Sequence, residues 1–593
     1  MTTTMQQARR SRRPGKTGVW RLVSQGLGLV IALGAFVAAA LIGFLYLTDP
    51  PGRDQGVFAY IGWRWLHGEI PYLKAGLEHK GPLPFAAYAL SLSLFGHSIS
   101  AIRLHAWLAT LVGGLGVAWI TSRVSGRLLY GLFAGAVYLL FVSVSGLGAY
   151  WNGAQTEAFM EPLVIASVLI ALLAGTPPGA HSDGASTPGA PAHGASTPGT
   201  PARGAFARGG PGVHHPRRIR WWFLAGFCLG TAALGKPTAL AVLIALFAAL
   251  PRPDLFLAGT ILAGVSVPWA AALGYFGYHD ALRPFLEQVF LLNIAYGGEG
   301  VRSIPAVIGL FPHSFTRLLD VRLFALIVPG AYCAIRRWRK LASRVVLLWL
   351  VASFVEVLAQ GRLWPYHFYP IMAPLAVLWG RGLASLGEVL FAHASALPAG
   401  SAAARPRVSP WQRLGAALLI AIGVSGLAGL NWREARFRYH YAIGDVSEDR
   451  FLAHFTPRRG RSDVDPVETF RAAAWARANL TPDETLLVWG FEPAVNFLSE
   501  RRSPTRFIYD YYLTSETLPE SARAAAWTLF WSDLDADPPD WIAIVHDDQN
   551  VIEPRDSLAE IERAPDFKAY LERHYRRQAR IGDFEFLRRV AAE

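Results

Sequence analysis

From Leu22 to Thr48 the chain runs without a charged side chain, and this stretch restricts the available folds more than any other feature. An α-helix crosses a bilayer with ~20 apolar residues, and this run is too long for the core of a secretory signal. It reads as a first membrane-spanning helix. Further apolar runs lie at about 104–121, 128–147, 158–174, 221–235, 237–250, 255–274, 323–335, 345–359, 366–384 and 411–430. Together they predict an α-helical polytopic membrane protein of about 11 spans.

Basic residues order these spans. The net charge is +13, but much of the Lys and Arg sits in short clusters beside apolar runs, which marks topology and not a nucleic-acid surface. With eleven spans, "RRSRRPGK" (9–16), "TSRVSGR" (121–127), "HHPRRIR" (214–220), "IRRWRK" (335–340) and "RPR" (405–407) all fall on the cytoplasmic side. Residues 1–21 are then a basic cytoplasmic N-terminus and 22–430 a transmembrane domain of a cytoplasmic (inner) membrane. Loops 48–100 and 275–322 and the C-terminal part share the outer side. Joining 221–250 into one helix would reverse everything after it, so "LGKPTAL" (234–240) decides the parity. Cys228 and Cys333 both fall within spans, so neither a disulfide framework nor a cysteine metal site is available.

Residues 175–216 are low in complexity, with "GASTPGAPAH" followed by "GASTPGTPAR". Such composition cannot bury a core and predicts a disordered cytoplasmic loop. From 431 to 593 the sequence turns soluble. "TFRAAAWARANL" has helical spacing, "ETLLVWG" and "DWIAIVH" read as buried strands, and "FEPAVNFLSE" starts a helix. A small extracytoplasmic α/β domain follows. "DLDAD" (533–537) reads as a polar loop, and this domain carries no nucleotide-binding glycine fingerprint.

The first loop holds the chemistry. Asp54 lies just past the first span, and "QGVFAYIGWRWLHGEI" has the spacing of a short helix on the membrane surface. "GLEHKGPLP" then turns back toward the bilayer. Asp54 and Lys80 are thereby brought to one water–lipid boundary. There a carboxylate can take a proton from an acceptor hydroxyl while an ammonium neutralises the phosphate of a lipid-linked leaving group.

The stretch "DQGVFAYIGWRWLHGEIPYLKAGLEHKGPLPFAAYALSLSLFG" (54–96) resembles the first extracytoplasmic loop of the GT-C glycosyltransferases, among them protein mannosyltransferases and aminoarabinose transferases. "LGKPTAL", "GRLWPYHFYPIMAPLAVL" (361–378) and "VWGFEPAVNFLSERRSPTRF" (488–507) extend the resemblance to about residue 510. It implies many transmembrane helices, two short interfacial helices in the first loop, and a polyprenyl-phosphate sugar as donor. It also implies inversion at the anomeric carbon and an envelope glycan, lipid or protein as acceptor. By position, Asp54 matches the catalytic Asp and Lys80 the lipid-phosphate Lys. "HKGP" stands where relatives have Lys-Pro-Pro, so Gly81 predicts a looser turn. Glu157, in "GAYWNGAQTEAFMEP", best matches the acidic residue that relatives place in the second loop to assist the acceptor or the metal, so the resemblance implies a catalytic role for it beside Asp54. Glu78 and His79 form a candidate site for a divalent metal cation, since relatives bind metal next to this Lys. Arg362 and His367 in "QGRLWPYHFYP" are candidate ligands of the donor phosphate.

Each candidate also has a structural reading. Asp54 would cap the following helix, Lys80 would snorkel, Glu157 would face a helix N-terminus, and aromatic residues around Arg362 and His367 are ordinary at an interface. Lys236, before Pro237, reads as a snorkelling residue. "GGEG" (297–300) is too Gly-rich to hold one conformation alone, and the resemblance implies a loop here that closes over substrate. A transporter or flippase of lipid-linked sugars would use a similar basic clamp, although no inverted repeat is evident. A third reading is a polytopic subunit without chemistry of its own.

Overall fold

The computed structural model describes residues 16–144, 147, 149–176, 216–293, 304–391, 408–456, 465–550 and 553–590. The low-complexity stretch 177–215, "GGEG" and "RPR" lie outside them. Helix α1 (Lys16–Phe44) carries the first apolar run. It is followed by α2 (Arg53–Leu66), α3 (Leu83–Phe95), α4 (Ile99–Ser125), α5 (Leu128–Val144), α6 (Thr156–Gly175) and α7 (Pro216–Ala233). Next come α8 (Leu243–Ala249), α9 (Leu255–Tyr278), α10 (Ile304–Leu318), α11 (Phe324–Arg336), α12 (Leu341–Ala359), α13 (Tyr369–Leu390), α14 (Pro410–Ser425) and α15 (Trp432–Ala442).

Six helices among the described residues are long and apolar enough to cross a membrane, and α10 with α11 would make a seventh as a pair bent by 92°. The chain is thus a multi-pass membrane protein, but length and composition do not reach the expected eleven spans. Several expected crossings are short or broken by proline, as in 237–249.

The parity question has a direct answer. Arg218 at the start of α7 donates to Thr176 O at the end of α6, whereas Lys236 past the end of α7 pairs with Glu157 at the start of α6. Ala249 then returns to Gly175. Residues 234–236 therefore reverse the chain, and "LGKPTAL" is a turn and not a kink. Close helix contact without side chains explains some of the glycines. A Cβ on Gly230 would meet Val265 O of α9 at 2.3 Å, and one on Gly382 would meet Leu326 O of α11 at 1.9 Å.

The soluble part forms a four-stranded sheet of order β1-β2-β4-β3, where β1 is Leu486–Trp489, β2 Trp541–Val545, β3 Tyr575–Ile581 and β4 Phe584–Arg589. β1 and β2 are parallel, and the β3–β4 hairpin joins antiparallel to β2. Helices Pro466–Asn479, Glu520–Ala536 and Pro565–His574 accompany the sheet. "DLDAD" is not a loop. Asp533 lies in the last turns of Glu520–Ala536, where it accepts from Arg506 at 2.8 Å.

Helix α2 also departs from its sequence reading. It is not spread on a lipid surface: Gln55 through Trp63 are all buried, pressed between the bundle and the soluble domain. Its two glycines explain this. A Cβ on Gly62 would touch Ala89 N of α3 at 3.0 Å, and one on Gly56 would meet Ala494 of the soluble domain at 2.9 Å. One apolar cluster accordingly runs from Phe58, Tyr72 and Phe85 through to Trp489, Phe507 and Phe530. Burial of that size makes the first loop and the soluble domain one packed unit.

Candidate active site between the first loop and the soluble domain

Asp54 is placed by the way α2 begins. Pro50, Pro51 and Gly52 bring the chain in extended, and Gln55 turns its amide back so that Gly52 N–H donates to Oε1 at 3.1 Å. Arg103 of α4 donates to that same oxygen at 2.9 Å, to Pro50 O at 2.6 Å and to Tyr150 O at 3.1 Å. Gln55 Nε2 in turn donates to Tyr150 O at 3.0 Å and to Gly153 O. The first and second loops are thus sewn together, and Gln155 Nε2 reaches Asp54 Oδ2 at 3.1 Å.

Lys80 is placed by a relay. Tyr509 of the soluble domain donates to Glu78 Oε2 at 2.9 Å, while Glu78 Oε1 accepts from His79 N at 3.0 Å and meets His79 Nδ1 at 2.7 Å. His79 Nε2 meets the Lys80 ammonium. Burial opposes the charged form of Glu78, but His79, Lys80 and the Tyr509 hydroxyl outweigh it and hold the carboxyl down at about 2. Burial, then Lys80, lowers the His79 imidazole. A neutral ring fits the network: Nδ1–H donates to Glu78, and the bare Nε2 accepts from Lys80. Tyr72 OH donates to Lys80 O at 2.8 Å, and Asn293 to His79 O at 2.6 Å.

The turn after Lys80 is not loose. Gly81 lies against the Leu234–Gly235 turn, where a Cβ would come within 1.9 Å of Leu234 O, and Gly81 N–H donates to Gly235 O at 3.4 Å. Glycine stands there because two backbones meet.

That turn delivers Lys236, which the sequence reading left as a surface anchor. Its ammonium instead pairs with Glu157, donates to Gln360 Oε1 at 2.6 Å and lies 5.2 Å from the centre of the Tyr366 ring. It does not snorkel, because carbonyl and carboxylate groups surround it inside the protein. His367 is buried with its Nδ1 unpartnered among the described residues. Because Gly81 meets Leu234 and Gly235, and Lys236 meets Gln360 and Tyr366, the segments of Lys80, Lys236 and residues 360–367 come together here.

Beside Asp54 opens a cavity of about 140 Å³, lined among others by Trp151, Gln155, Tyr366, Thr469 and Glu492. The last two come from the soluble domain. Tyr366 faces both this cavity and Lys236. Sequence reasoning assigned no role to Gln155, Lys236, Thr469, Glu492 or Tyr509. Two of them lie in stretches that carried part of the resemblance, Lys236 in "LGKPTAL" and Glu492 in "VWGFEPAVNFLSERRSPTRF".

Among the described residues no three His, Cys, Asp or Glu side chains converge on one point. Glu78 and His79 remain a pair, with both His79 nitrogens engaged and a cation on one of them. That donor set does not fit a divalent metal.

No protein-family model matches the chain, and no curated protein matches it. Solved structures do. ArnT from Cupriavidus metallidurans bound to undecaprenyl phosphate is 16% identical, over 94% of this chain and 98% of that one, with a TM-score of 0.52. The AglB oligosaccharyltransferase of Archaeoglobus fulgidus, in complex with an inhibitory peptide and a dolichol-phosphate, is 12% identical over 87% and 69%, at 0.46. The arabinosyltransferase EmbB of Mycobacterium smegmatis is 13% identical over 75% and 42%, at 0.38. At these identities it is the end-to-end match to ArnT that bears on this chain, and it bears on the fold. The chain has the GT-C fold that its first loop resembles.

Proposed function

We propose that the chain is an inverting membrane glycosyltransferase that moves a sugar from a polyprenyl-phosphate donor to an envelope acceptor at the extracytoplasmic face of the inner membrane. The observation that carries this reading is the position of Asp54. It lines a cavity that the soluble domain completes, Gln155 donates to it, and Tyr366 of the same cavity faces Lys236. The shared fold with ArnT, whose structure holds undecaprenyl phosphate, supports the donor class. Hexosyl and pentosyl donors both fit.

The chemistry follows from the charges. An acceptor hydroxyl in the cavity loses its proton to the Asp54 carboxylate as its oxygen bonds to the anomeric carbon from the face opposite the phosphate. The carbon–oxygen bond to phosphate breaks, and polyprenyl phosphate leaves with the electron pair. Lys80 and Lys236, with Arg362, neutralise the charge that develops there. The Glu78–His79 pair aims the Lys80 ammonium, and Glu157 does the same for Lys236. One displacement inverts the anomeric centre.

Release of polyprenyl phosphate from a panel of polyprenyl-phosphate sugars tests this, with purified protein in lipid and an envelope extract as acceptor. Wild type releases it, and Asp54→Asn does so ~10²–10⁴-fold more slowly. Donors left intact by both proteins would overturn the enzyme reading in favour of transport of the lipid-linked sugar.

A further inference from the structure

A second hollow, of about 1,060 Å³, opens where the end of the last described apolar helix meets the soluble part. Its apolar side is Ile42 and Leu45 at the end of the first span, together with Phe437, and its other wall is α15 with Arg450, Ala453 and His454. Arg433, Arg436 and His440 follow one another on α15 at spacings of three and four, so they share one face. Arg450 joins them from the short helix Glu448–Ala453.

These three arginines are exposed, and among the described residues none pairs with a carboxylate. Two of the nearby acids are engaged, while Glu448 and Asp449 stand exposed beside Arg450. Glu434 accepts from Arg438 at 2.8 Å and from His454 at 3.0 Å, and Asp445 binds His440 at 2.8 Å. Among the described residues Arg436 meets only His440 Nε2, at 3.5 Å. The hollow is firmly built underneath: Arg438 pairs with buried Asp49 at 2.7 and 2.8 Å, and the Trp432 indole donates to Leu427 O at 2.7 Å.

Its position identifies the surroundings. Leu41, Phe44, Leu418 and Ile422 are large apolar residues exposed on the adjoining spans, so the hollow lies at the lipid boundary. This is the Asp54 end of the bundle, opposite the Arg336–Lys340 cluster, which lies near Gly126 and Thr176. A topology signal does not explain arginines at both ends. Snorkelling arginines reach outward along their own helix, whereas these three, from two helices, converge on one concavity with an apolar floor.

We propose that this groove binds the phosphate-bearing headgroup of an anionic membrane lipid. Arg433, Arg436 and Arg450 take the phosphate oxygens, and Ile42, Leu45 and Phe437 take the first methylenes of the acyl chains. The site is separate from the Asp54 cavity and does not depend on glycosyl transfer.

Native mass spectrometry of the full chain, titrated with phosphatidylglycerol and with phosphatidylcholine, tests this. Wild type retains phosphatidylglycerol in preference, and R433A/R436A/R450A binds it about tenfold more weakly or worse. Ala453→Trp, which fills the groove and keeps every charge, weakens it as well. Equal retention by the triple variant and wild type would overturn the site. So would loss in the triple variant with no effect of Ala453→Trp, which would mean diffuse surface charge. Displacement of the lipid by an equal concentration of inorganic phosphate would assign the groove to a soluble anion instead.

Discussion

Tyr509 donates a hydrogen bond of 2.9 Å to Glu78 across 431 residues of sequence. Through His79, that contact makes the soluble domain a support for the Lys80 ammonium at the membrane face. The soluble domain is thus part of the candidate site and not a cap over it.

Removing the hydroxyl should therefore act on the donor side. Tyr509→Phe leaves Glu78 Oε2 without this partner in a buried place, a loss of ~1–3 kcal/mol at that bond. Donor KM should rise while acceptor KM stays the same. Steady-state kinetics with each substrate varied in turn checks this, and equal shifts in both would refute a donor-side role.

Glu157 and Lys236 should behave as a buried pair. Breaking one side, as in Lys236→Met, leaves a carboxylate at 0% exposure unpaired and should lower stability by ~3–5 kcal/mol. The double variant Glu157→Gln with Lys236→Met should recover much of that stability and none of the activity. Thermal unfolding of both in the same detergent separates the two effects.

On the acceptor side the sensitive residue should be Glu492, which shares the Asp54 cavity from the soluble domain. Glu492→Gln should raise the KM for envelope extract about tenfold and leave donor binding unchanged. A fall in donor affinity instead would place Glu492 with the phosphate.

Stability should fall on acidification, in two parts. The Glu78 carboxyl is held at about 2 against an ordinary 4.5, so its contribution is present above 4.5 and is lost as pH falls toward 2. The His79 ring is held below its ordinary 6.5. The unfolded chain takes that proton first, and stability declines as pH falls through 6.5. Thermal midpoints between pH 4.5 and 8 for wild type and His79→Asn test the second part, which the variant should lack.

The sequence by itself determined the membrane class, the soluble α/β part with its strands at "ETLLVWG" and "DWIAIVH", and the presence of Asp54 and Lys80 in one loop after the first span. These follow from local signals: uninterrupted apolar runs, short β-rich segments between turns, and ionisable residues at a span's end. The β3–β4 hairpin carries a local signal of its own in the Gly582–Asp583 turn between its strands. Tertiary structure alone decided the rest. Gly56 and Gly62 look like defects in a surface helix until both faces of α2 are seen to be packed. Gly81 looks like a loosened turn until Leu234 is seen to lie against it. Lys236 and Tyr509 carry no local mark of function, because a lysine before a proline and a tyrosine in a loop are common. Their partners, Glu157 and Glu78, lie 79 and 431 residues away, and burial beside a carboxylate is a property of the folded chain, not of any segment of it.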